Sequence, residues 1–433
     1  MKYYIKTYGC QMNVNDSEIL SGILETKGYQ ETNDYRSADL VLVNTCAIRQ
    51  KAEDKAYGFL GDLKGLKKEK PDLIIGICGC IPQHEKEKIL KKLPFVDLVM
   101  GPSGIEEFGN LLSEVETKKE TITFFGDDCI PRGIHPSKRA KIPRAYINIM
   151  YGCNNYCSYC IVPYVRGREI CRPVKDIIDE IKTLDKSIYK EVFLLGQNVN
   201  SWQGDRGEKF SDLLKIVHEL QQIKWLSFMT SHPKDFTDDI IDAVANSPKI
   251  NHYIHLPIQS GSSKILAAMN RKYDRDYYLR VVDKIYSKIP DVALTSDIIV
   301  GFPGETDQDF QDSLDIIKKA EFDSVNTLVY SIRPDTKAAA MDNQIDDKIK
   351  KERLQGIMRI VSDMAFEKNQ KLVNKTVDVL VEGEAKDGRL SGRTRGSKVV
   401  YFEGKKELLF QIVPVEIKSA KSWVLEGLLF SGL

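Results

Sequence analysis

No apolar run in this chain of 433 residues approaches the roughly 20 residues that a membrane-spanning helix requires. The longest, such as "DLIIGICGC", have the length of buried strands. The opening "MKYYIKTYGCQ" lacks the apolar centre of a secretion signal, so a cytoplasmic protein without membrane attachment is expected. A reducing compartment excludes a disulfide framework for the nine cysteines, which leaves metal ligation or catalysis to explain any clustering. Net charge is also nearly absent: 63 Lys and Arg face 62 Asp and Glu, giving +1, so the whole chain is no electrostatic glove for nucleic acid. Charge is uneven locally. Eight basic residues against one acid lie between Arg132 and Arg172, and eleven against eight from Lys371 onward. Such surface suits a polyanion, although charge alone fits a solvated face as well. Hydrophobic content of 42 % and charged content of 29 % are those of an ordinary globular protein, and the length allows two or three domains.

What is present begins with strand–helix alternation. "YYIKTYGC", "ADLVLVNTC", "PDLIIGICGC" and "FVDLVMG" read as strands, and "NDSEILSGILETKGY" as a helix that Asp16 or Ser17 can cap. This predicts an open parallel sheet covered by helices. Cys10, Cys46 and Cys80 then sit just past the C-terminal ends of three strands, the edge where such sheets bind ligands. A Pro-rich, basic connection follows. The next stretch supplies six strand–helix units, "AYINIMY", "EVFLLGQN", "WLSFMTS", "HYIHLPIQS", "VALTSDIIVGFPGE" and "VNTLVYS", which suit a partial (β/α)6 barrel. After a charged helix come five short strands punctuated by Gly, the pattern of a small antiparallel OB-like β-barrel, a scaffold that often holds single-stranded nucleic acid. The expected fold class is therefore α/β, divided into 1–116, a linker at 117–143, 144–370 and 371–433.

"GCNNYCSYCIVPY" places Cys153, Cys157 and Cys160 in eight residues, directly after the first barrel strand. Zinc wants four ligands, and neither His135 nor His218 stands at ligand spacing. A reactive thiol needs one cysteine. Iron–sulfur clusters are held by thiolates, and three around a four-iron cube leave one iron open to a small molecule.

This CxxxCxxC spacing resembles the signature of the radical S-adenosylmethionine superfamily. "YGCQMNVNDSE", "VNTCAIR", "GCNNYCSYCIVPYVRGRE", "LLGQNVNSW", "HLPIQSGS" and "SDIIVGFPGET" extend the resemblance over essentially the whole chain to the methylthiotransferases. "CQMNVNDSE" and "CIVPYVRGRE" narrow it to the MiaB type, the tRNA 2-methylthio-N6-isopentenyladenosine synthases. The resemblance implies a methylthiotransferase N-terminal domain, a radical core and a C-terminal TRAM domain that binds RNA. It implies two [4Fe-4S] clusters, the second held by Cys10, Cys46 and Cys80, with S-adenosylmethionine as co-substrate. Cys80 is chosen over Cys78 because the family's ligand directly precedes the "xxQ" of "CIPQ". The implied reaction methylates a cluster-associated sulfur with one S-adenosylmethionine. A second yields the radical that takes hydrogen from C2 of isopentenyladenosine 37, beside the anticodon, and the methylthio group joins that carbon. Implied partners are a tRNA carrying isopentenyladenosine, an electron donor such as flavodoxin or ferredoxin, and a sulfur donor.

The same resemblance assigns S-adenosylmethionine contacts to Gly196, Gln197 and Asn198, to Gln259 and Ser260, and to Asp297, with Gly301 and Gly304 offering backbone to adenine. Tyr159 matches the aromatic common beside the last ligand. Arg166 and Arg168 suit the S-adenosylmethionine carboxylate, a cluster-facing anion or an RNA phosphate. Arg393, Arg395 and Lys398, in the basic loop "SGRTRGSK", are the expected RNA contacts. Cys78, Cys129 and Cys171 receive no ligand role, and His232, His252 and His255 a structural one. Alternatives are methylthiolation of threonylcarbamoyl-adenosine tRNA or of a ribosomal protein, and a non-catalytic, metal-stabilised RNA-binding protein.

Overall fold

The computed structural model describes residues 1–47, 50–126 and 137–430. Cys129 and the middle of the expected linker lie outside the described residues. The N-terminal sheet contains β1 (Lys2–Thr7), β2 (Gln30–Glu31), β3 (Leu40–Thr45), β4 (Ile74–Gly79), β5 (Leu98–Met100) and β6 (Ile122–Phe124). Its order is β2-β1-β3-β4-β5-β6 and every pairing is parallel. Apolar side chains emerge alternately on the two faces, as the two-residue strand period requires. Leu40 and Leu42 join the helices Gln11–Thr26 and Phe108–Lys118, while Val41 and Val43 face the helix Gln50–Glu69. Burial on both faces is why these strands read as unbroken apolar runs. The β6 edge strand falls inside the stretch expected as connection; three residues are too few to show a periodicity.

The first helix starts at Gln11, earlier than expected, with Cys10 as its N-cap. Asp16 and Ser17 are therefore interior residues, 2 % and 8 % exposed, and not caps. Asn13 does the capping instead: its Oδ1 accepts from the Cys10 amide at 3.3 Å.

The second domain runs through β7 (Arg144–Asn148), β8 (Met150–Tyr151), β9 (Ile170–Cys171), β10 (Glu191–Leu195), β11 (Trp225–Phe228), β12 (Tyr253–His255), β13 (Ala293–Val300) and β14 (Ser324–Val329). β8 and β9 form a separate small antiparallel pair. The other six are parallel neighbours in chain order, as the sheets β7-β10-β11 and β12-β13-β14 joined by a Leu226–Ile250 bridge. They form the expected open six-stranded barrel, whose helices bury one continuous core. The helix Asp347–Gln370 packs on β14 and leads into the third domain.

That domain is a closed barrel, β15 (Thr376–Glu384), β16 (Leu390–Thr394), β17 (Val399–Glu403), β18 (Ile412–Ala420) and β19 (Val424–Leu429), in the order β15-β16-β17-β19-β18. All pairings are antiparallel except β17 with β19. A closed ring of five strands cannot alternate direction throughout, so one parallel pair is unavoidable. No helix among the described residues is long and apolar enough to cross a membrane.

Candidate metal and cofactor centres

Cys153, Cys157 and Cys160 lie on the loop leaving β8, at the C-terminal end of the barrel. Gly152 sets the start of the loop: its φ is +71°, and a Cβ there would stand 1.9 Å from the Arg168 carbonyl oxygen. The far side is buttressed by the turn after helix Ser263–Ala268. The Ser158 amide donates to the Met269 carbonyl at 3.0 Å, and Asn270 Nδ2 to the Tyr156 carbonyl at 2.9 Å. Arg271 reaches Cys157 Sγ at 3.5 Å, with its other nitrogens on Tyr273 Oη and the Pro257 carbonyl. Burial pushes the Cys160 thiol up to about 12, and the neighbouring Cys157 adds to the shift. Burial likewise raises Cys153. One buried and two half-buried thiols crowded on a single loop are a fitting thiolate set for a cationic group, which supplies the counter-charge. Tyr159 packs beside Ile265, Met269 and Phe302.

Cys10, Cys46 and Cys80 follow β1, β3 and β4, three adjacent strands, so the sheet brings them to one edge. Glycines permit the approach: a Cβ on Gly9 would be 2.6 Å from the Cys46 Cβ, and one on Gly79 2.4 Å from the Thr45 carbonyl oxygen. Cys46 and Cys80 are 2 % and 1 % exposed, Cys10 is half-buried, and none of these cysteines is in a disulfide. Burial raises the Cys80 thiol, while the positive charge of Arg166 pulls it back. Among the described residues no three His, Cys, Asp or Glu side chains converge as on a single ion. Each set offers three thiols, one short of the four ligands that zinc wants and the number that leaves one iron of a four-iron cube open. Cys78 sits in the apolar core with Leu20 and Leu98, on the opposite face of the sheet from Cys80. Cys171, on β9, accepts from the Gln203 amide at 3.4 Å and packs against the barrel core.

The two sets belong to domains that meet at these edges. Met12 shares an apolar cluster with Tyr151, Phe193 and Leu195, and Cys10 packs against it. Ile161 and Val165, just after Cys160, enter the core that contains Cys80 and Ile81. Asn15 Nδ2 donates to the Tyr146 carbonyl at 3.1 Å.

The barrel mouth divides the expected S-adenosylmethionine contacts. Gln197 and Gln259 each leave a buried Oε1 without a partner, and Gln259 holds φ +77° to place it. Asn148 Oδ1, both amide atoms of Asn200, and Ser231 Oγ are orphaned in the same way; no sequence signal singled these residues out. Unsatisfied buried polar atoms in this number mark a polar ligand's place. Asp297 accepts from Asn326 at 2.9 Å and faces His255 at 3.4 Å.

Other expected contacts are engaged elsewhere. Asn198 spends its amide on Asp235 Oδ2 at 2.7 Å and on the His232 amide. Ser260 is fully buried and accepts from the Ser262 amide at 3.2 Å. Gly196 is needed for space, since a Cβ would lie 2.5 Å from the Met150 side chain. The Gly301 and Gly304 amides donate to Glu305 Oε2 and the Asn343 carbonyl, so neither is open to adenine. Arg166 is 3 % exposed and paired with Asp16, which removes it from any RNA phosphate, whereas Arg168 is exposed. His232 is held neutral by burial, its value lowered to about 2, with the positive charge of Arg271 acting the same way.

The largest departure concerns the basic loop. Lys398 Nζ binds Asp323 at 2.7 Å and Asn369 at 2.8 Å. Arg395 bonds Asn251 and the Pro248 carbonyl and lies 5.9 Å over the Trp225 ring. Arg393 turns to Glu382 and the Ser397 carbonyl. Trp225, Asn251 and Asp323 stand at the N-terminal ends of barrel strands, and Arg144, the first residue of β7, reaches Glu382 of the small barrel at 3.4 Å. The loop therefore docks the small barrel onto the floor of the large one. Lys398 and Arg395 are spent on protein because strand starts there present an acid, an amide and a carbonyl, whereas Arg393 pairs within the small barrel.

Comparison with known proteins agrees with this architecture. Models for the uncharacterised protein family UPF0004, the radical SAM superfamily and the TRAM domain match residues 2–101, 147–353 and 370–430. The tRNA-2-methylthio-N(6)-dimethylallyladenosine synthase of Caldicellulosiruptor saccharolyticus is 47 % identical over 98 % of this chain and 91 % of its own length. Its namesake from Carboxydothermus hydrogenoformans is 45 % identical over 99 % of both. Among solved structures, the radical S-adenosylmethionine methyltransferase TsrM from Kitasatospora setae matches with a TM-score of 0.59 over 78 % of this chain and 75 % of that one, at 12 % identity. A cobalamin-dependent S-adenosylmethionine radical enzyme, OxsB, matches at 0.52 over 82 % and 56 %, at 11 % identity. At such identities these two speak for the fold alone.

Proposed function

Because this chain belongs to the family of tRNA-2-methylthio-N6-dimethylallyladenosine synthases, we propose that it converts N6-isopentenyladenosine 37 of tRNA to its 2-methylthio derivative. It is a radical S-adenosylmethionine methylthiotransferase that works with [4Fe-4S] clusters. Cys153, Cys157 and Cys160 hold one cluster and Cys10, Cys46 and Cys80 the other. When bound, these clusters and S-adenosylmethionine supply the one-electron cleavage that activates the C2–H bond and the methylated sulfur that replaces the hydrogen.

The observation that carries the reading is the facing of two three-thiol sets across one domain contact. An aromatic C–H offers no acid–base handle, so the chain's own work is placement. The Gly152 turn and the Met269–Asn270 buttress hold the barrel loop. Gln197, Gln259 and Asn200 offer unspent polar atoms to S-adenosylmethionine at the barrel mouth. The Met12–Tyr151–Phe193 cluster packs the two domains together beside Cys10. A flavodoxin- or ferredoxin-like electron donor, a separate sulfur source and a cytoplasmic setting complete the proposal.

A nucleoside digest of tRNA from a strain lacking the protein tests it. Loss of 2-methylthio-N6-isopentenyladenosine with accumulation of N6-isopentenyladenosine is expected. An unchanged digest, or loss of the threonylcarbamoyl-adenosine derivative instead, refutes it.

A further inference from the structure

Asp16 and Arg166, 150 residues apart in sequence, form an ion pair at 2.8 Å with side chains only 2 % and 3 % exposed. Asp16 stands on the first helix, downstream of Cys10, and Arg166 just beyond the short helix that follows Cys160. The pair thus joins the two cysteine-bearing segments across the domain contact. A buried pair is a poor source of stability, because desolvation offsets its attraction. Here burial raises the Asp16 carboxyl despite Arg166, and Asp16 Oδ1 has no partner. Hydrophobic residues would fill this place at less cost, so the pair calls for another reason.

The reason lies in what else the guanidinium charge reaches. The helix Val162–Val165, which Arg166 follows, packs on the helix that Cys80 begins, so the guanidinium charge acts on the Cys80 sulfur. Its fork can serve a carboxylate and a sulfur at once, which a lysine ammonium does with less fixed geometry. We infer that Arg166, oriented by Asp16, is a positioning residue for the N-terminal group: standing beside the Cys80 segment on the barrel side, it sets the charge that this group experiences. The inference rests on the reading that Cys10, Cys46 and Cys80 hold a cluster. Hydrogen bonds to ligand sulfurs and nearby charge are the protein's levers on such a group's reduction potential. The reduced form carries one more negative charge. Removing the Arg166 cation must therefore make reduction harder, and neutralising Asp16 must make it easier.

The test uses the full-length chain with Cys153, Cys157 and Cys160 changed to Ala, reconstituted anaerobically with iron and sulfide, so that only the N-terminal set contributes. Midpoint potentials are read by electron paramagnetic resonance during titration with dithionite. Arg166→Gln is expected to shift the midpoint to more negative values and Asp16→Asn to more positive ones, with Arg166→Lys between Arg166→Gln and the parent. A purely structural pair moves iron content or melting temperature in the same direction for both changes and does not split the potentials by sign. Unshifted midpoints, or shifts of one sign, with iron retained overturn the proposal alone. A parent that binds no iron overturns the cluster assignment as well. If Arg166→Gln does not load, Asp16→Asn decides, and an unshifted or more negative midpoint there is refutation.

Discussion

Replacing Lys398 by methionine removes one cation from the floor of the large barrel while keeping most of the side-chain bulk. Lys398 Nζ lies 2.7 Å from Asp323 Oδ1, with side chains 17 % and 9 % exposed. Breaking a fully buried pair costs about 3–5 kcal/mol, and an exposed pair is worth about 0–1 kcal/mol. This pair lies between those limits. Lys368 stays 3.4 Å from the other Asp323 oxygen, so the carboxylate is not left alone. The Asn369 contact at 2.8 Å is lost as well. A loss of about 2 kcal/mol follows, or a fall of ~4–8 °C in the unfolding midpoint of a domain of this size. The matching assay is tRNA binding over a salt series. A phosphate-binding lysine takes about 1 from the slope of log affinity against log salt. The docked position predicts an unchanged slope together with the lower midpoint. A slope reduced by about 1 with no change in melting would show that Lys398 meets RNA and that the docking argument fails.

Cys80→Ala is expected to keep roughly half the iron, on the scale of one of two four-iron clusters, and to cleave S-adenosylmethionine to 5′-deoxyadenosine without forming methylthiolated tRNA; Cys157→Ala should lose the cleavage and keep the N-terminal iron. Mass spectrometry of anaerobic turnover with dithionite checks both, and the reverse pattern would exchange the two roles. Gly152→Ala puts a Cβ against the Arg168 carbonyl at φ +71°, so iron in the barrel set should fall severalfold, as metal analysis in a Cys80→Ala background can read, while the N-terminal set still fills, as a Cys157→Ala background can read. Burial alone would raise Asp309, but hydrogen bonds from Lys264, Ser262 and Thr306 outweigh it and hold the carboxyl well below its usual value. Its stabilising share is therefore full above the unfolded value of about 4 and drains away as pH falls through the lower folded value. Asp309→Asn should accordingly lower the melting temperature at pH 7 and have less effect in strong acid, and an equal loss at both pH values would contradict this.

The strands were legible because parallel, doubly covered strands must be apolar throughout, and "LVLVNT" or "IIGICG" admit little else. The six cysteines expected to hold clusters stood out for a chemical reason: free thiols gathered at strand ends call for a partner. Two-residue β2 and three-residue β6 were invisible because pairing with an existing edge, not their own pattern, makes them strands. Helix capping was misplaced because Asn13 and Asp16 are both plausible caps locally, and only the distant Arg166 settles where Asp16 goes. Arg271, which meets Cys157 at 3.5 Å, had no local signal at all.

The basic loop shows why charge is the least readable of these signals. A positive side chain can pair with phosphate, carboxylate or carbonyl oxygen, and a sequence does not say which of them the fold supplies. Here six strands start at one end of a barrel, and their first residues include Arg144, Glu191, Trp225 and Ala293. Arg144 and Glu191 pair with each other at 2.7 Å, and Glu382 comes down onto the same arginine. Gly396 comes so close to Ala293 that an added Cβ would stand 3.0 Å from the alanine Cβ. The loop closes the end of the barrel opposite the cysteine loop, which leaves the thiol-bearing end for chemistry. Elsewhere on the third domain Trp423 is 54 % exposed and Phe430 44 %, with Lys418 and Lys421 nearby in sequence. Exposed aromatics among lysines are the elements from which base-stacking platforms are made. Trp423→Ala should accordingly weaken tRNA binding with little change in melting, and undiminished affinity would remove this face from consideration.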